Sequence, residues 1–166
     1  MKYKLFVIIL FCITSNAFSQ TAKKLKPNKI ETEQWIKEKL NSYPYNNYKG
    51  ISNNYSINFE NNNMLIVNDS RVQGEILVDK TKIKILDIDY ISIINKENNV
   101  WLVIMLKSNK FEETTFNDEL INANGKYEFI LSKDFNNNDL PERMKKAFNR
   151  LLELYGGNSN ANKETY

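Results

Sequence analysis

The chain has 166 residues, 23 Lys and Arg against 20 Asp and Glu, a single cysteine and no histidine. That length suits one domain with an ordinary packed core. Without histidine it cannot build a Ser-His-Asp triad, a Cys-His pair or the usual zinc site of histidine and cysteine ligands.

Lys2 and Lys4 precede an apolar run, Leu5 to Thr14, and a small-residue exit, Ala17-Phe18-Ser19, comes before Gln20. This is the layout of a secretory signal peptide, with cleavage expected after Ser19. Ten apolar residues rise only about 15 Å as a helix, roughly half a hydrocarbon core, which is too short for an anchor. Cys12 lies inside the apolar run and follows Phe11, where a lipidated cysteine needs a small residue before it. The expected product is an exported domain, periplasmic or secreted, with no transmembrane segment after cleavage. It would have no cysteine, hence no disulfide, and a formal charge of about +1 once Lys2 and Lys4 are gone. So small a charge argues against a nucleic-acid partner. The expected organisation is a signal peptide over 1–19, a flexible basic lead-in over 20–30, a single α+β domain over 31–156 and a polar tail over 157–166.

A first helix is predicted from Thr32 as N-cap, with Ile36, Leu40 and Tyr43 on one face and Pro44 ending it. The period then falls to two. Tyr55, Ile57 and Phe59 alternate with polar residues, Glu60-Asn61-Asn62-Asn63 is a turn, and Met64 to Val67 returns as the second arm of a hairpin. Glu75 to Asp79 reads as another strand. From Lys82 to Ile94 the apolar phase switches twice, which one flat strand cannot do. The pattern predicts strand, corner, strand, with a turn or bulges near Leu86 and Tyr90. Val100 to Leu106 is seven apolar residues, predicted as a central strand covered on both faces. Phe111–Phe116 and Lys126–Leu131 are predicted strands, joined by a loop over Asn117–Gly125. Asp139, Pro141 and Glu142 predict a capped start for the last helix. Its apolar stripe runs through Leu140, Met144, Ala147, Phe148, Leu151, Leu152 and Tyr155, and Gly156 closes it.

The chemistry this leaves is carboxylate chemistry. Asp87 and Asp89, two apart on a strand, would share a face and are the candidate acid/base or binding pair. Asp134 to Asp139 superficially matches a calcium loop, but Asp139 stands where glycine belongs and Lys145 where a bidentate glutamate belongs. It reads as a turn and cap, so no metal site and no cofactor are expected. None of the five glycines forms a phosphate loop.

The corner Ile85 to Ile91 and the helix Glu142 to Leu152, in an order of helix, about seven strands and terminal helix, resemble the pleckstrin-homology/GRAM-like superfold over roughly residues 52–156. The resemblance implies a curved, mainly antiparallel sheet or open barrel plugged by the last helix, and a binding module. The turn Asn61-Asn62-Asn63 lacks the Lys and Arg that hold phosphates in the lipid-binding version. The whole chain also resembles small exported proteins of Bacteroidota, whose leaders often end before Gln. The expected function is non-enzymatic binding of a protein or cell-envelope component. The alternatives are a small carboxylate-dependent enzyme and a binder of an apolar molecule inside the curved sheet.

Overall fold

The computed structural model describes residues 26–157 apart from 48–49, 73, 109, 111–112, 117–118 and 122–124. The expected signal peptide with Cys12, the lead-in up to residue 25 and the tail from 158 lie outside the described residues. In chain order the elements are α1 (Lys29–Asn41), β1 (Tyr45–Asn46), β2 (Ser52–Glu60), β3 (Asn63–Val72), β4 (Glu75–Lys84), β5 (Ile88–Asn95), β6 (Val100–Leu106), β7 (Glu113–Phe116), β8 (Glu119–Ile121), β9 (Lys126–Leu131) and α2 (Leu140–Leu154). The fold is α+β. One sheet has the order β1-β2-β3-β4-β7-β8 and the other β5-β6-β9, with every pairing antiparallel. The sheets do not close into a barrel. No described helix is long and apolar enough to cross a membrane.

The hairpin β2–β3 turns on Asn61 and Asn62, with φ of 50° and 65° between the paired Glu60 and Asn63. Two left-handed residues in a two-residue loop match the twist of the strands, and asparagine tolerates that conformation better than most. The double phase switch resolves as expected. β4 ends in a 3-10 turn, Ile85–Asp87, and the β5–β6 register slips between Ile88 and Tyr90. β4 is longer than its alternation suggested, however, running without a break from Glu75 to Lys84. Residues 119–121, expected in a loop, pair with β7 as the short edge strand β8.

The helix ends differ from the sequence expectation. The cap of α1 is Asn28, not Thr32: Asn28 Oδ1 accepts from Glu31 N at 3.0 Å and Glu31 Oε2 accepts from Asn28 N at 2.9 Å. This capping box satisfies two free donors reciprocally. Thr32 instead begins the buried stripe Thr32, Ile36, Leu40. The cap expected at α2 does not form. Asp139 sits at φ 54° with no side-chain bond to the helix, and Glu142 pairs with Lys145. At the other end Gly156, at φ 84°, donates to Glu153 O, and Gly157 N donates to Leu152 O at 2.9 Å. That is a Schellman closure.

Both sheets and both helices meet in one core. Ile57, Ile66 and Ile83 from the larger sheet, Leu102, Ile104 and Phe129 from the smaller, Ile36 and Leu40 of α1, and Met144, Phe148 and Leu151 of α2 are all at most 1% exposed. α1 lies against β2, α2 against β5, and the helices touch each other. Tyr55 stitches the sheets together: from β2 its hydroxyl accepts from Ile130 N of β9 at 2.8 Å, and its ring lies edge-on to Phe129. In β6, alternate residues Val100, Leu102, Ile104 and Leu106 face this core, while Trp101 and Met105 on the opposite face are only partly buried. The second face is therefore less completely covered than the apolar run suggested.

Candidate binding groove between the helices

α2 divides its surface between two tasks. At about 100° per residue, Met144, Phe148, Leu151 and Leu152 form one stripe, and Arg143, Lys146 and Arg150 fall within about 60° of one another on another. Ala147 lies at the border. The first stripe is buried against the sheets. The second faces the N-terminal half of α1 across an open groove of about 780 Å³.

The opposite side is lined by Glu31, Thr32 and Trp35 of α1, together with Lys26 and Pro27 just before it. The apolar part of the lining is supplied chiefly by Trp35, Pro27 and Ala147. The end of the lead-in, expected to be a flexible linker, is tied down here: Arg150 Nε donates to Pro27 O at 3.1 Å, and Arg150 Nη1 pairs with Glu153 at 3.1 Å. Arg143 lies over the face of Trp35, 5.4 Å from its centroid, within cation–π range.

Charge is uneven in this groove. It is lined by four cations, Lys26, Arg143, Lys146 and Arg150, and two carboxylates, Glu31 and Glu153. Both carboxylates are engaged, Glu31 in the α1 cap and Glu153 with Arg150. Lys26, Arg143 and Lys146 are exposed and form no ion pair with another described residue. The arrangement can attract an anion and shelter an apolar group beside it.

The sequence-predicted pair lies elsewhere. Asp87 is the last residue of the 3-10 turn, 3.9 Å from Lys110 Nζ, whereas Asp89 occupies the bulge of β5. The two do not share one face of a strand, because the corner falls between them. Neither lines the groove. Among the described residues no group of three or more carboxylates is placed to hold a metal ion.

A second polar region sits at one end of the core. Asn68 of β3 donates to Asn53 Oδ1 at 3.4 Å and Asp79 Oδ2 at 3.1 Å, joining the three strands β2, β3 and β4. Asn68 Oδ1 and Asp79 Oδ1 are buried without a hydrogen-bond partner. Burial raises the Asp79 carboxyl above its ordinary value, with the Asn68 amide opposing, and pushes the Tyr55 phenol up to about 12. The cluster is packed within the sheet and does not open into the groove.

Sequence reasoning missed the groove. The spacing of Arg143, Lys146 and Arg150 at i, i+3 and i+7 was visible as a cationic stripe. Nothing local shows that it would face Trp35 and the segment before α1, more than a hundred residues away. In comparisons with known proteins, no family model, no curated protein and no solved structure matches this chain.

Proposed function

We propose that this protein is an exported, non-enzymatic binding domain, acting on a protein or cell-envelope component, and that the groove between α1 and α2 holds the ligand. The observation that carries this reading is the groove itself: an apolar lining at Trp35, Pro27 and Ala147 beside exposed Lys26, Arg143 and Lys146, which have no ion partner among the described residues. Concave sites with apolar linings and a few converging polar groups are where ligands bind. The leader layout of residues 1–19 supports export, and the α+β architecture with a terminal helix packed on a sheet is compatible with a pleckstrin-homology/GRAM-like module. Fold by itself carries no function, so the weight rests on the groove.

The test uses the protein expressed with its own leader and purified, with Trp101→Phe leaving Trp35 as the single tryptophan. Addition of an envelope extract should shift Trp35 emission, and Arg143→Glu with Lys146→Glu should abolish the shift while the fold persists. An unchanged Trp35 signal in the parent protein, or the same shift in the charge-reversed variant, rejects the groove as the ligand site.

A further inference from the structure

Building on the groove reading, we infer that its ligand is a small amphiphilic anion: one carboxylate or phosphate head on an apolar body, held as a free molecule in the groove. Two features point to the head. Arg143 and Lys146 are one turn apart on the same wall, exposed, and lack ion partners among the described residues, while both carboxylates of the groove are already bonded. A free anion is therefore attracted without first displacing an internal salt bridge. The guanidinium fork of Arg143 suits either a carboxylate or a phosphate through paired hydrogen bonds.

The body follows from the apolar lining. Trp35, Pro27 and Ala147 give an apolar surface beside those cations. A purely ionic ligand would leave this surface wet, and a purely apolar one would leave the cations without an anion. Only a molecule with both parts uses the whole site.

Size separates a small molecule from a protein. The groove of about 780 Å³ is lined by eleven residues. Ligand pockets run to roughly 300–1,000 Å³, whereas a standard protein interface engages about 20–30 residues on each side. Most of the lining lies on helices, which present no sheet edge for an extended peptide to join.

The experiment titrates dodecanoate and dodecyl phosphate, below their aggregation concentrations, into the Trp101→Phe protein. Trp35 emission is followed, with isothermal titration of the unaltered protein as the second readout. Neutral and cationic amphiphiles of the same chain length, short acetate and phosphate ions, an acidic peptide and anionic phospholipid vesicles form the other arms. Saturable binding of the dodecyl anions is expected, at least tenfold tighter than the neutral analogue or the short ions. Raising the salt should weaken it. Arg143→Glu with Lys146→Glu should reduce affinity at least tenfold, and the milder Lys146→Gln should reduce it measurably, with melting temperatures close to the parent.

Equal binding of the neutral amphiphile, or no saturable binding of either anion, overturns the inference. Preferential binding of the acidic peptide or the vesicles, lost in the charge-reversed variant, also overturns it while leaving the groove as the ligand site. Indifference of every bound probe to the charge reversal removes the groove reading as well.

Discussion

The two flanks of α2 have the same backbone and opposite relations to their surroundings. On one, Met144, Phe148, Leu151 and Leu152 are at most 3% exposed and belong to the common core. On the other, Arg143 and Lys146 face a groove and have no described ion partner. Burial of an apolar side chain is stabilising in itself, roughly in proportion to the area removed from water. An exposed, unpaired cation adds little to folding. The first flank therefore holds the protein together, and the second is free to be used for recognition.

The largest expected effect comes from breaking the buried flank. Phe148→Ala should destabilise the protein by about 3–5 kcal/mol through lost burial and the cavity left behind, measured by chemical denaturation. A loss below about 1 kcal/mol would mean that the helix is not held by this stripe.

A smaller effect is expected where a single polar contact joins the sheets. Tyr55→Phe keeps the ring against Phe129 but strips Ile130 N of its acceptor. The donor is partly buried, and leaving it without an acceptor costs about 1 kcal/mol. The reading of Tyr55 as a cross-link between sheets fails if denaturation shows no change.

Asp79 extends the contrast, because it is an ionisable group half-buried in β4 beside Asn68. Its folded pKa is raised above 3.8, chiefly by desolvation. Below the unfolded value both states hold the proton. As pH rises, the unfolded chain releases it first, so stability falls until the folded pKa is passed, and the penalty persists at neutral pH. Asp79→Asn should melt higher than the parent at pH 7, with the gap narrowing as the pH is lowered through the carboxylate range. A gap independent of pH would show that Asp79 has no raised pKa.

The smallest effect on stability should be at the groove. Arg143→Glu with Lys146→Glu is expected to change folding free energy by no more than about 0.5 kcal/mol per site, in denaturation curves run beside those of Phe148→Ala. A collapse comparable to Phe148→Ala would merge the two flanks into one structural role.

Much of the architecture was legible because it is written in short-range periodicity. The alternation of Tyr55, Ile57 and Phe59, the turn at Asn61-Asn62 and the stripe of α2 each depend on neighbours a few residues apart. The phase switches around Leu86 and Tyr90 marked the 3-10 turn and the bulge, because a strand cannot move its apolar side chains to the other face without one. Caps were less legible. Thr32 and Asn28 are both acceptable N-caps by type, and the choice fell to Asn28 because Glu31 completes the box while Thr32 is buried one turn further in, its hydroxyl donating to Asn28 O. The candidate pair Asp87 and Asp89 shows the same limit: their separation in sequence was plain, but the corner between them removed the shared face.

The amino-acid sequence alone determined the α+β class, the run of strands between two helices and the absence of histidine, since these rest on composition and local pattern. Tertiary structure decided that Tyr55 would join two sheets, that Asp79 would be half-sheltered beside Asn68, and that a cationic stripe of α2 would meet Trp35 and Pro27 across a groove. Each of these brings together residues far apart in the chain. Their proximity is set by how the whole apolar surface is buried, which no short stretch of sequence specifies.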